Sequence, residues 1–287
     1  MSNYILRIDC PDEVGIVHRV TGVLYKHSLN IISNGEFVDP RQGRFFMRTE
    51  FAPAKGSGSA TAGTSIDELL QELRSSVSAA ANVELTQPRP KDIVVLATKE
   101  SHCLGDLLLR NDNGELPARI QAVISNYDRL QPLVERFEIP YHHVPHADME
   151  RGAHERELLA TIGRYQSDYL VLAKYMRILS SDFVASFSNR CINIHHSFLP
   201  AFAGARPYGQ AFDRGVKIIG ATAHFVNEDL DEGPIISQSV IPIDHTHSAA
   251  DMAQAGRDVE KFVLAKALKL VLEDRVFVSG NRTVIFD

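Results

Sequence analysis

The sequence predicts an α/β protein in two parts: a small βαββαβ domain, then a larger, open and mostly parallel sheet flanked by helices. Strand-like runs and two amphipathic helical stretches alternate up to residue 86. Prolines then interrupt regular structure at residues 87–92. Beyond that joint the strand-like runs become almost continuously apolar, as buried parallel strands are. The expected organisation is therefore a first domain over 1–86, a linker over 87–92 and a second domain over 93–287.

Residues 4–8 read as a strand. Residues 15–27 read as a helix, because Ile16, Val17, Val20, Val23 and Leu24 recur near helical spacing. Two strands follow at 29–38 and 43–51, joined by the turn Pro40-Arg41-Gln42-Gly43. Residues 55–64 are rich in Gly, Ser, Thr and Ala and offer little apolar surface, so a mobile loop is expected there. A second helix is expected over 65–81, with Ile66, Leu69, Leu70, Leu73 and Val77 on one stripe, and a short strand over 83–85. Helices on one face of a small antiparallel sheet would bury both stripes.

After the joint, residues 93–97, 122–125 and 169–173 are short apolar strands, separated by segments long enough for crossover helices. Ser248 and Asp251 have the spacing of a capping box at the start of the last long helix. Met252, Val259, Phe262, Val263, Leu268 and Val271 supply much of its buried side. Residues 275–286 read as a final strand or hairpin turning at Ser279-Gly280-Asn281-Arg282.

The bulk numbers exclude some classes of function. The chain has 287 residues, 44% of them hydrophobic, and a formal charge of −6, which gives no support to a nucleic-acid-binding surface. No apolar run is long enough for a membrane span, and the start at Met1 lacks the regions of a secretory signal. Cys10, Cys103 and Cys191 are odd in number and far apart, which favours a reducing compartment over a disulfide framework. The expected location is the cytoplasm.

The motif richest in chemistry is Asn193-Ile194-His195-His196-Ser197-Phe198-Leu199-Pro200. On a strand, residues i and i+2 share a face, so Asn193 and His195 aim at one point. Asp231 follows downstream. An amide can donate to an oxyanion, an imidazole can move a proton near neutrality, and a carboxylate can orient water. Ser197 lacks the glycine of a nucleophile elbow, which favours a noncovalent route. The alternative is a hydrogen-bonded core histidine beside an ordinary strand-end asparagine. His142, His143, His146 and His154 suggest either a metal site or one wall of a polar cleft; the expectation is no metal.

These residues resemble the bacterial formyltetrahydrofolate deformylase family. The resemblance rests on Asn193-Ile194-His195, on Ser197-Phe198-Leu199-Pro200, on residues 220–226 (GATAHFV) and on residues 231–236 (DEGPII). Upstream, residues 172–180 (LAKYMRILS) resemble the segment beside the pterin pocket of that family. It implies a Rossmann-like formyltransferase fold over 93–287, with Asn193, His195 and Asp231 catalytic. It further implies folate contacts from Met176, Arg177, Ile178, Leu179, Ala221, Thr222, His224, Val226 and Asp229. The first domain, through residues 12–17 (DEVGIV) and Leu29-Asn30-Ile31, resembles an ACT domain of ferredoxin-like βαββαβ order. That resemblance makes Asp12, Gly15, Ile16 and Asn30 candidate regulatory residues. It also suggests an amino-acid effector, such as methionine or glycine, and a homodimer or homotetramer.

The implied activity is hydrolysis of 10-formyltetrahydrofolate by water to formate and tetrahydrofolate, without a cofactor. Transfer of the formyl group to an amine such as glycinamide ribonucleotide is the alternative enzyme reading, and a nonenzymatic folate sensor is another. Residues 97–106 carry bulky and charged side chains where the nucleotide enzymes place a glycine-rich phosphate loop, which favours water as acceptor. One position departs from the family pattern: Gly209 stands where a histidine is usual, which removes a donor and adds backbone freedom.

Overall fold

A computed structural model of the chain describes residues 3–54, 65–201 and 207–287. The loop expected over 55–64 lies outside the described residues. The chain forms two compact units. The first comprises Met1–Arg89 with Glu273–Phe277 and Val284–Asp287; the second comprises Pro90–Leu272 with Val278–Thr283.

In the first unit the order is β1 (Tyr4–Pro11), α1 (Ile16–Lys26), β2 (Leu29–Asp39), β3 (Arg44–Pro53), α2 (Ile66–Ser75) and β4 (Asn82–Thr86). The sheet runs β2-β3-β1-β4 and every pairing is antiparallel. Leu6, Ile8 and Cys10 alternate along β1, as Phe45 and Met47 do along β3. They share a core with Ile16, Val20 and Leu24 of α1 and Leu69 and Leu73 of α2. Ile16 is therefore a core residue, whereas Asp12, Gly15 and Asn30 are exposed. Gly15 caps α1 at φ 87°.

Helix α2 is shorter than expected. The hydroxyls of Ser75 and Ser76 donate to the carbonyls of Gln71 (2.9 Å) and Leu73 (2.7 Å), competition that favours helix ends. Val77 still packs on the core from beyond that end. Near the C-terminus, the carbonyls of Glu273 and Asp274 accept from the buried Arg48 at 3.0 and 3.1 Å, and Phe277 meets Phe46 edge-on at 5.7 Å.

The second unit begins with β5 (Lys91–Ala97), α3 (His102–Asp112), β6 (Ala118–Ser125), α4 (Gln131–Val134) and β7 (Tyr141–His143). It continues with α5 (Arg151–Ile162), β8 (Tyr169–Ala173), α6 (Ser181–Ala185), β9 (Cys191–His195), α7 (Pro207–Arg214), β10 (Ile218–Phe225), β11 (Ile235–Pro242) and α8 (Ala249–Leu272). The last strands, β12 (Val276–Ser279) and β13 (Arg282–Ile285), pair with each other.

The large sheet has seven strands in the order β11-β10-β9-β8-β5-β6-β7. Strands β5 to β9 pair in parallel, while β10 and β11 are antiparallel additions. Val94, Leu96, Ile124, Leu170 and Leu172 form the core with Phe183 of α6. The capping box at Ser248 is present: Asp251 N–H donates to Ser248 Oγ at 3.2 Å, and Ser248 N–H to the Asp251 carboxylate at 2.9 Å. Helix α8 then packs on β10, β11 and α3. Ligands of open α/β sheets sit beyond the carboxyl ends of the parallel strands, here at Ala97, Ala173 and His195.

Candidate active site

At the ends of β8 and β9 lies a cavity of about 350 Å³, walled by the segments after β8 and β10. Asn193, His195 and Asp231 all line it. Asn193 and His195 share one face of β9. Antiparallel pairing sets His224 opposite Asn193, and the Asn193 amide donates to His224 Nε2 at 3.2 Å. His224 Nδ1 lies 2.9 Å from its neighbour's carbonyl, that of Phe225, so Nδ1 carries the ring proton. Burial holds the His224 pKa below its ordinary value, against that bond and the charge of Asp231, so the ring is neutral near pH 7.

His195 is buried. Its Nδ1 lies 3.2 Å from Asp231 Oδ2, and its Nε2 has no hydrogen-bond partner. Burial by itself would raise the Asp231 carboxyl, but the hydrogen bond and charge of His195, then the charges of His224 and His196, hold it below its usual range. Two further polar atoms of the cavity wall are buried without partners, Tyr175 Oη and Asn227 Oδ1. Buried polar atoms are rarely left unpaired, so these three mark where a polar ligand would bond.

Backbone strain delivers the carboxylate. Asp231 adopts φ 59° and Lys174, also in the wall, φ 61°. Such left-handed residues cost about 1–3 kcal/mol and collect at functional sites. Gly233 lets the chain turn back: a Cβ there would lie 1.8 Å from the Phe225 carbonyl oxygen. The neck closes where Phe225 N–H donates to the Pro234 carbonyl at 2.9 Å.

Met176, Arg177, Ile178, Leu179, His224, Val226 and Asp229 line the cavity, as expected of folate contacts. Met176, Ile178 and Leu230 are more than half exposed and give the mouth an apolar rim. Ala221 and Thr222 do not line it. Both are fully buried within β10, where Thr222 Oγ1 accepts from Leu199 N–H at 3.0 Å and donates to the Ser197 carbonyl at 2.9 Å. Their part is to support the segment after β9. Gly209 lies in α7 and is also outside the wall.

The histidines at 142–154 do not line this cavity. His142 pairs with Tyr165 Oη at 2.5 Å, His146 with Asn126 at 3.2 Å, and His154 with the Val144 carbonyl at 3.1 Å. Another set, His102, Cys103 and Glu260, has ligand atoms within 4.8 Å of one another. Its chemistry does not suit a cation. The Lys174 ammonium lies 3.2 Å from Glu260, and burial pushes the Cys103 thiol far up, so it stays protonated. Lys174 and Tyr175, inside the expected segment 172–180, Asn227 and His196 also line the wall, though none was singled out from sequence as a site residue. His196 and Asn227 each adjoin an expected residue, His195 and Val226.

Known proteins share the sequence and the fold. Residues 91–268 match the formyl transferase family, and residues 4–62 match the ACT domain. The chain is 56% identical to the formyltetrahydrofolate deformylase of Escherichia coli K12 over 99% of both chains. A crystal structure of the Pseudomonas syringae formyltetrahydrofolate deformylase superposes with a TM-score of 0.93 at 42% identity, covering 100% of this chain and 95% of that one. Glycinamide ribonucleotide transformylase 1 of Symbiobacterium toebii gives a TM-score of 0.66 at 32% identity, over 69% of this chain and 95% of its own. The full-length match includes both parts, whereas the transformylase covers little more than the second. The chain belongs to the formyltetrahydrofolate deformylase family, an ACT domain followed by a formyl transferase domain.

Proposed function

We propose that this chain hydrolyses 10-formyltetrahydrofolate to formate and tetrahydrofolate, and that Asn193, His195 and Asp231 carry the reaction. The supporting observation is that Asn193, His195 and Asp231 line one cavity, with His195 Nδ1 tied to Asp231 at 3.2 Å and its buried Nε2 without a protein partner. Water adds to the formyl carbon, and the carbonyl electron pair moves onto oxygen. The second N–H of Asn193 and Nε2–H of His195 donate to that oxyanion. Asp231 orients the water and takes its proton. The carbon–nitrogen bond then breaks as N10 takes the proton held on Asp231, and formic acid leaves as formate after losing its own to solvent. The leaving amine is delocalised into an aryl ring, so collapse needs no cofactor. The apolar rim of Met176, Ile178 and Leu230 suits the flat faces of a pterin, with Tyr175 and Asn227 meeting its polar edge.

The test is product release. Purified protein with 10-formyltetrahydrofolate should yield equal amounts of formate and tetrahydrofolate with no amine present. Release only after glycinamide ribonucleotide is added would establish the transferase instead. Binding without either product would establish a sensor.

The first domain carries regulation and assembly in this reading. Val14 is 97% exposed beside Gly15 and Asp12, at a helix start whose amides suit an amino-acid carboxylate. Strand β2 is a sheet edge with exposed Phe37 and Val38, which suits pairing between subunits in a homodimer or homotetramer. Methionine or glycine should change the hydrolysis rate, and light scattering should show a multiple of the chain mass. Among the described residues no helix is long and apolar enough to cross a membrane. The three cysteines are free and buried, which supports the cytoplasm as the working compartment.

A further inference from the structure

A buried ion pair outside the proposed trio reaches the cavity. Glu260 of α8 is wholly buried. It accepts from Tyr208 Oη at 2.6 Å and His102 Nε2 at 2.7 Å, with Lys174 Nζ at 3.2 Å. Burial would raise its pKa, but the bonds and charges of His102, Lys174 and Tyr208 hold it at about 2, so the group is ionised. A Cβ at Gly256, one turn earlier on α8, would lie 2.1 Å from the Tyr208 ring, so the helix leaves room for this set. The hydrolysis derived above uses none of these side chains.

Lys174 brings the pair to the reacting groups. The parallel register sets Leu172 of β8 beside Asn193 of β9, so Lys174, two residues on, leaves its strand alongside His195. Lys174 lines the cavity with Asn193, His195 and Asp231, whereas Glu260 does not. The nearer charge of the pair is therefore the cation. The Lys174 backbone is left-handed, φ 61°, and Thr98 Oγ1 donates to its carbonyl at 2.7 Å. Glycine adopts that conformation without strain, so the turn alone does not call for a lysine.

We propose that Lys174, anchored on Glu260, determines the acceptor of the formyl group: its fixed ammonium keeps amines away from the carbon that water attacks. The inference rests on the hydrolysis proposed above. An aliphatic amine is mostly an ammonium near neutrality, and it must enter the cavity before shedding a proton. Asp231 by itself would draw such a cation in. Two cations about 5 Å apart, the spacing of neighbouring strands, repel by up to roughly 10²-fold at an effective dielectric constant of 20. Water carries no charge and is not turned away. Without the lysine, two carboxylates, Asp231 and Glu260, would flank the space, and an amine could take the ammonium's place. Its neutral nitrogen would bond to the formyl carbon and pass a proton to Asp231. The bond from that carbon to N10 would break as N10 takes the proton, leaving a formamide and tetrahydrofolate.

The test supplies 10-formyltetrahydrofolate and glycinamide together and measures formate and N-formylglycinamide in the same reaction by mass spectrometry. The unaltered protein should release formate alone at every glycinamide concentration. Lys174→Met should divert formyl groups to the amine, raising the ratio of formylglycinamide to formate ~10-fold or more. Lys174→Arg, which keeps the charge, should not. If an unpaired Glu260 prevents Lys174→Met from folding, adding Glu260→Gln removes both charges and should show the same diversion to a smaller extent. A lysine that merely neutralises Glu260 would lower the rate or Tm in these variants without changing the product. Formate alone from a folded variant lacking the ammonium would overturn the inference. So would equal diversion in Lys174→Arg, or formylglycinamide from the unaltered protein. Loss of both products in a folded variant would overturn it too, since the lysine would then serve the reaction itself and not the choice of acceptor. No formate from the unaltered protein without amine would instead remove the hydrolysis on which the inference rests.

Discussion

Asp231→Asn isolates the charge of the carboxylate from its shape. The left-handed φ of 59° at this position is tolerated by asparagine, so the loop should keep its path. At 3.2 Å, a carboxylate and an imidazolium attract by about 5 kcal/mol at an effective dielectric constant of 20. The amide retains a dipole, and the carboxylate is 16% exposed to solvent, so the net loss is smaller. Charge-assisted hydrogen bonds of this kind contribute about 2–3 kcal/mol. That range alone corresponds to a fall in kcat of roughly 30- to 150-fold, and the loss of the group that takes the water's proton adds to it. Formate can be read by coupling its release to a formate dehydrogenase, under saturating substrate. Because the carboxyl pKa is depressed below 3.8, its stabilising charge is present above that value and lost as pH falls through the depressed one. The stability gap between the two proteins should therefore be constant near neutrality and close in acid. A variant rate within twofold of the parent would refute a charged role for Asp231.

Other substitutions test neighbouring links. His195→Ala should slow single-turnover hydrolysis by ~10²–10⁴-fold, with little change in folate binding. Gly233→Ala forces a Cβ onto the Phe225 carbonyl, so it should lower Tm and cost more than tenfold in rate as the neck opens. Gly256→Ala should also lower Tm, although alanine favours a helix interior by about 1 kcal/mol, because the Tyr208 ring must move. Adding Tyr208→Ala to it should recover part of the loss in a thermal melt. Thr222→Val leaves Leu199 N–H without its acceptor and should destabilise by about 1–3 kcal/mol in urea titration, with KM unchanged.

Much of this architecture was legible in local pattern. Alternating apolar residues gave the first sheet, and continuous runs such as residues 93–97 gave the parallel strands. The common face of Asn193 and His195 followed from strand geometry alone. Asp231 did not, because no local rule says where a hairpin loop returns; family resemblance supplied it. Thr222 lies in a recognisable motif, yet which face of β10 meets the cavity depends on its register with β9. Lys174 and Glu260 were invisible as partners, since helix packing brings them together from distant parts of the chain. The return of residues 273–277 to the first sheet was equally hidden: an apolar strand carries no label for the surface it covers.

The neck at Phe225 and Pro234 separates two tasks within one hairpin. Its base fixes where the acid sits, while Asn227, Glu228 and Leu230, between base and acid, line the cavity. Substrate selectivity on this scaffold can therefore drift through changes at the tip, as a key blank is recut while its bow stays the same. A library randomised at 227, 228 and 230 should yield variants with altered folate preference whose dependence on Asp231 is undiminished.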